Sequence, residues 1–216
     1  MPLNAVLFPG MPMPLAFWEP RYLRMAEYCL ENDSPFGVAL IKHGSEVGDE
    51  VAETYLVGTT AEIAHVRDQG DHLLVMAVGR RRFRLMEMYK DGPYPQAEIE
   101  LYPEEIPAAS PDLLDDIRTL FAEEMELVLQ LLGFDGTEME IPKRADKLSY
   151  MIAAHLRMPL EAKQELLETE HCNQRLAREL ELVRKERQEY RVLLAARKLA
   201  EQWSADDEPG LVFSDN

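Results

Sequence analysis

The sequence predicts an α+β fold, a small β-barrel followed by a helical bundle that ends in one long helix. Three observations carry this expectation. Residues 1 to about 102 consist of short apolar, β-branched runs broken by Gly and Pro, the pattern of strands. Residues 111 to 203 keep a helical period throughout. Between them, Tyr102 to Pro111 reads YPEEIPAASP, a proline-bounded shift in composition that marks a boundary. The expected organisation is a barrel subdomain with one early helix over 1–107, a helical subdomain over 108–203 and a short acidic tail over 204–216.

In the first part, Val6-Leu7-Phe8 reads as a strand ending at Pro9-Gly10, and Pro20 opens a helix in which Tyr22, Ala26, Cys29 and Leu30 share a face. Pro35 stops that helix. Phe36 to Ile41 follows as a buried strand, and Leu73–Val78 with Phe83–Tyr89 read as two arms meeting near Gly79. A strongly bent barrel pairs such short strands without leaving long edges. In the second part Ser110 is placed as N-cap and Pro111 at the first helical position, and apolar residues recur at Leu114, Ile117, Phe121, Val128 and Leu131 before Gly133. A second helix carries Ala145, Leu148, Ile152 and Leu156 on one side, and a third uses Leu160, Leu166 and Leu167 after Pro159. The last, from about His171 to Trp203, contains no Gly or Pro and reaches on the order of 50 Å, longer than a small bundle requires. Its stripe of Leu176, Leu180, Val183, Tyr190 and Leu194 is interrupted by Arg187, so its far end, residues 186–203, is expected to meet a partner or a second copy.

Charge and composition exclude several functions. Forty acidic against twenty-three basic side chains give a formal charge of −17, which repels phosphate backbones and anionic membranes at long range. The apolar start, MPLNAVLFPGMPMPLAF, lacks a basic leader and is broken by four prolines, so neither a signal peptide nor a membrane helix is expected and the cytoplasm is the expected compartment. Two cysteines, Cys29 and Cys172, are too few for a disulfide framework. The five histidines are scattered without ligand spacing, so no metal or other cofactor is expected.

The order of short motifs resembles a known family. Pro2-Leu3-Asn4, Val6-Leu7-Phe8-Pro9-Gly10, Met13-Pro14-Leu15 and Glu19-Pro20-Arg21-Tyr22 are similar to the opening of the Lon protease amino-terminal domain. Pro35-Phe36-Gly37-Val38, Gly48, Val57-Gly58-Thr59, Ala61-Glu62-Ile63 and Gly79-Arg80-Arg81-Arg82-Phe83-Arg84 continue the resemblance in order. Ala145-Asp146-Lys147-Leu148, Ile152-Ala153-Ala154, Lys163 to Glu168 and Arg175-Leu176 extend it into the helical half. The resemblance implies a PUA-like β-barrel backed by a helical bundle, a module that in full Lon proteases helps collect unfolded or tagged substrates and contributes to assembly. It also implies structural roles for Pro9, Gly10, Glu19, Pro20, Arg21, Gly37, Gly58, Arg82 and Phe83. Full Lon proteases carry a GxxxxGK[ST] loop and a Ser-Lys protease; this sequence contains no such loop, and a non-catalytic chain is expected.

Candidate sites are few. None of the six serines lies in a G-x-S-x-G elbow, and Lys147 and Ser149, two apart on a helix, point in different directions. The Arg80, Arg81, Arg82 and Arg84 run reads as a turn and a solvated strand face rather than an RNA platform, because no aromatics interleave it. Glu19 and Arg21 flank Pro20 as an ion pair that sets the start of the first helix. The densest candidate is Met11, Met13, Phe17, Trp18 and Tyr22, where pliable thioethers and aromatic anchors suit loose recognition of apolar peptide. Strand alternation buries about half of such a set. The expected partners are unfolded or hydrophobic polypeptide segments, held in a cleft between barrel and bundle, with quality control as the setting. The rivals are an assembly protein acting through its last helix and, last, a hydrolase.

Overall fold

In the computed structural model, residues 1–46, 52–89, 91–102, 110–134 and 139–206 are described, with side chains to 203. The predicted boundary at 107/108, Gly48 and the end of the predicted tail lie outside these residues. The strands are β1 (Pro2–Leu3), β2 (Pro12–Phe17), β3 (Phe36–His43), β4 (Glu53–Thr54), β5 (Val57–Asp68), β6 (Leu73–Tyr89) and β7 (Gln96–Leu101), and α1 (Pro20–Asn32) lies between β2 and β3. Four helices follow, α2 (Pro111–Leu132), α3 (Ala145–His155), α4 (Leu160–Glu168) and α5 (Cys172–Asp206).

The strands form one seven-stranded sheet in the order β1-β3-β5-β6-β2, with β4 paired to β3 and β7 to β6. Only β1 and β3 run parallel among these pairs. The long β6 organises the sheet. β5 occupies one edge of it from Leu73 to Arg84, while β2 and β7 divide the other edge, β2 taking 73–78 and β7 taking 83–89. Leu73–Tyr89 is therefore one strand of 17 residues and not two arms with a turn at Gly79. The physical reason lies at Gly79 itself. Its N–H donates to Met11 O (3.0 Å) and its carbonyl accepts from Gly10 N (2.8 Å), so the loop before β2 continues the pairing where a turn was expected. A Cβ at Gly79 would lie 2.3 Å from Phe8 O, so the close approach requires glycine. Val6-Leu7-Phe8 is correspondingly not a strand but a buried, irregular segment pressed against β6.

The Phe83 ring covers Gly58 and Gly37, and a Cβ on Gly58 would stand 2.4 Å from Val38 O and 2.6 Å from the ring. Arg21 pairs with Glu19 at 2.8 Å and lies over the Tyr22 ring at 4.7 Å, setting the first turn of α1 with Pro20. That helix ends where Asp33 turns left-handed (φ 50°). Its inner face is Tyr22, Met25, Ala26 and Cys29; the predicted Leu30 is exposed and Met25 takes its place.

Two clusters make the core. One fills the barrel with Leu7, Met13, Phe17, Tyr22, Phe36, Val38 and their neighbours. The other joins Ile117, Phe121, Leu148, Ile152, Leu166, Leu176 and Val183 of the bundle to Val6, Phe8, Leu40, Val57 and Tyr102 of the barrel half. The second cluster thus runs across the two halves, and each fully buried large side chain in it contributes about 1.5–3 kcal/mol. Ser110 precedes α2 as predicted, but its side chain makes no capping bond.

The halves are also joined by buried polar groups. Arg82, 2% exposed, donates from Nη1 to Leu167 O (2.7 Å) and Thr169 O (2.8 Å) and lies over the Tyr102 ring at 4.7 Å. It is a core residue, not part of a solvated strand face, because its guanidinium satisfies the carbonyls left free where α4 ends. Arg175 donates to the same Thr169 O (3.1 Å) and to Ser149 Oγ (2.6 Å), and Ser149 in turn donates to Glu179 Oε1 (2.8 Å). Gln164 Nε2 reaches Val57 O at 2.9 Å.

Between α2 and α5, Arg187 interrupts the apolar stripe in order to pair with Glu123. Beside it, burial and then the nearby Glu186 carboxylate push the Glu124 carboxyl up to about 8 from the ordinary 4.5, although Arg157 and Arg187 oppose the shift. A raised folded-state pKa means the fold favours the protonated form. The stabilising contribution is complete below 4.5 and is lost as pH rises through about 8. Glu124→Gln is expected to lie closest to the wild type in urea unfolding at pH 5 and below, and to gain on it steadily as pH rises through 8. Equal pH slopes for the two proteins would remove Glu124 as the cause.

Candidate functional site

Where β6 passes from β2 to β7, a groove of about 600 Å³ lies between barrel and bundle. That is the size of a pocket that takes a few side chains. The loop Pro9-Gly10-Met11-Pro12 forms one wall, Gly79-Arg80-Arg81-Arg82 the back, and Pro142, Asp146, Lys147, Tyr150, Met151 and Ala154 the other wall. Each wall follows from local sequence. Gly79 draws the loop in by the two backbone bonds described above, and this leaves Met11 half-buried at the rim. On α3, Leu148, Ile152 and Ala153 turn into the bundle, so Lys147, Met151 and Ala154 are left to face outward.

The floor is apolar and aromatic. Tyr150 is buried, packs on Phe8 with ring centroids 6.3 Å apart, and lies beneath the Arg175 guanidinium at 4.2 Å and that of Arg82 at 5.8 Å. Met11 and Met151, both half-buried, add pliable surface. Around them lie charges that are mostly answered. Arg144 grips Asp146 through two bonds of 3.1 and 2.9 Å, and Arg80 pairs with Glu62 at 2.6 Å. His155 bonds Met151 O at 2.8 Å.

The structure divides the predicted peptide-binding set. Phe17 is fully buried, Met13 and Tyr22 are 7% and 6% exposed, and all three belong to the barrel core. These three are the buried part of the set and offer no surface to a peptide: alternation along β2 turns Met13 and Phe17 inward, and the α1 stripe does the same for Tyr22. Trp18 is 55% exposed and stacks on His72 at 3.7 Å, at the end of β2 remote from the groove. At about 3.3 Å per residue it lies roughly 20 Å from Met11. Only Met11 of the five lines the groove. Tyr150, Met151 and Ala154 were missed, although an apolar Met151 one place off the Leu148–Ile152 stripe is a legible signal of a second apolar contact.

Ser149 is wholly enclosed, its hydroxyl held between Arg175 and Glu179, while Lys147 is exposed on the groove side of α3. The two do not form a dyad. Among the described residues no group of three or more His, Cys, Asp or Glu side chains is placed to hold a metal ion, and no helix is long and apolar enough to cross a membrane.

Residues 1–185 match the model of the ATP-dependent protease La (LON) substrate-binding domain. The chain is 28% identical over 189 residues to a Lon protease of Anaeromyxobacter dehalogenans, covering 86% of this chain and 22% of that protein. A similar match, 28% over 189 residues, 86% of this chain and 23% of the relative, is found with Lon protease 2 of Myxococcus xanthus. The chain thus spans less than a quarter of the length of these relatives. In fold it is similar to a Lon N-terminal domain protein from Xanthomonas campestris, with TM-score 0.62, 23% identity, and coverage of 82% of this chain and 93% of the other. The N-terminal domain of a Mycobacterium avium complex Lon protease superposes with TM-score 0.55 at 18% identity, covering 85% and 95%. With its barrel, its bundle and the groove between them, the chain belongs to the LON substrate-binding domain family.

Proposed function

We propose that this chain is a non-catalytic polypeptide-binding module that captures unfolded or apolar segments in the groove between barrel and bundle, in the service of protein quality control. One observation carries the reading. Met11 and Met151 line a groove of about 600 Å³ over a buried tyrosine, a surface that conforms to many apolar side chains. The family membership supports polypeptide as the ligand class.

A second reading rests on α5. Its far end leaves Val192, Leu193, Leu199 and Trp203 between 49% and 71% exposed, a face suited to a second copy of the chain or to another protein. One experiment separates the two. Aggregation of a model unfolded protein is followed by light scattering in the presence of the wild type, Met11→Glu/Met151→Glu, and a chain cut after Arg191, with the mass of each recorded. Groove capture predicts suppression by the wild type and the cut chain and at least a fivefold loss in the double variant. Suppression and mass that both fall only in the cut chain would assign the activity to α5.

A further inference from the structure

We propose that the preferred occupant of the groove is an apolar segment bearing a carboxylate, from a chain end or an acidic side chain, bound between Arg81 of β6 and Lys147 of α3. This rests on the reading of the groove as a polypeptide site. The charges around the groove favour it. Asp146 is neutralised by the two hydrogen bonds that Arg144 donates, Arg80 by Glu62, and Arg82 is committed to the carbonyls of Leu167 and Thr169. Arg81 and Lys147 remain: both are exposed, both line the groove, and neither side chain bonds any group among the described residues. Two unanswered cations beside an apolar floor stand out in a chain of net charge −17, whose acidic groups elsewhere outnumber its basic ones.

Their placement adds specificity. Arg81 lies on β6 at the back of the groove and Lys147 on its α3 wall, so a carboxylate entering the groove meets a cation from the barrel and one from the bundle. A guanidinium presents a fork that matches a carboxylate, and the ammonium supplies a second charge-assisted bond. The apolar floor excludes water beneath the ligand and strengthens both contacts. A polyanion such as RNA also offers charge for these groups, but it meets the negative field of the whole chain along its length, whereas a single carboxylate meets only its near neighbours.

The test uses the full chain and fluorescein-labelled ten-residue peptides with one apolar core and four endings: a free C-terminal carboxylate, a C-terminal amide, an amide with one internal Asp, and an amide with one internal Lys. Fluorescence anisotropy is expected to show the carboxylate peptide, the Asp peptide or both binding roughly five- to tenfold tighter than the plain amide. Which of the two gains identifies the source of the carboxylate. In Arg81→Gln/Lys147→Gln the gain disappears while the plain amide binds as before, and Arg81→Glu/Lys147→Glu shifts the preference to the Lys peptide. That shift is a gain that misfolding cannot imitate. Equal binding of all four peptides to the wild type, or a gain that survives in the Gln variant, overturns the proposal and leaves apolar capture standing. An RNA oligonucleotide that binds more tightly than every peptide and depends on the same two residues overturns it in favour of phosphate. No binding of any peptide overturns both the proposal and the capture reading.

Discussion

Arg82→Ala is expected to lower the stability of the chain by about 3–5 kcal/mol, the range for a buried charge removed from its partners. The guanidinium bonds the carbonyls of Leu167 and Thr169 and stacks on Tyr102, which itself bonds Glu170 Oε1 at 2.9 Å. Its loss leaves two carbonyls at the end of α4 with fewer donors and opens a cavity between barrel and bundle. Lysine is not expected to rescue, because a single ammonium cannot both reach the two carbonyls and lie flat on the ring. Arg84→Ala is the control. That side chain, two positions along β6, is exposed and pairs with Glu170 at a loose 3.8 Å, so a change within about 0.5 kcal/mol is expected. Urea unfolding of the two variants decides the matter, and equal losses would contradict the role assigned to Arg82.

Gly79→Ala is expected to cost about 3 kcal/mol, and Gly79→Val more, since the added Cβ falls 2.3 Å from a backbone oxygen that no rotamer change can move. Relief requires shifting Phe8, which is fully buried and packed against Tyr150. The consequence reaches the groove, because the loop that carries Met11 hangs on the two backbone bonds to Gly79. Peptide affinity is therefore expected to fall together with the melting temperature. A Gly79→Ala chain that melts within a degree or two of the wild type would show that the Phe8 segment is free to move.

Much of the fold was legible in the sequence because its signals are local. Pro20 and Pro111 start helices, Gly133 ends one left-handed, and the Leu148–Ile152 and Leu176–Leu180–Val183 stripes turn inward at their own period. The Glu19–Arg21 pair, across one proline, was readable for the same reason. The groove was half legible. A methionine-rich stretch was visible, but alternation alone places Met13 and Phe17 on one face of β2 without saying which face meets the core.

What the sequence determined by itself is the succession of strands and helices and the side of each that is apolar, since both depend on residues within a turn or a pleat of one another. The tertiary structure decided the rest. Arg82 and Arg175 meet at Thr169 O, Met11 and Met151 come to one groove, and Arg81 and Lys147 are left unanswered beside it, because those neighbours are distant along the chain and come together only when β6 packs beside the bundle. Local periodicity sets which way a side chain points; only the closed fold sets what it points at.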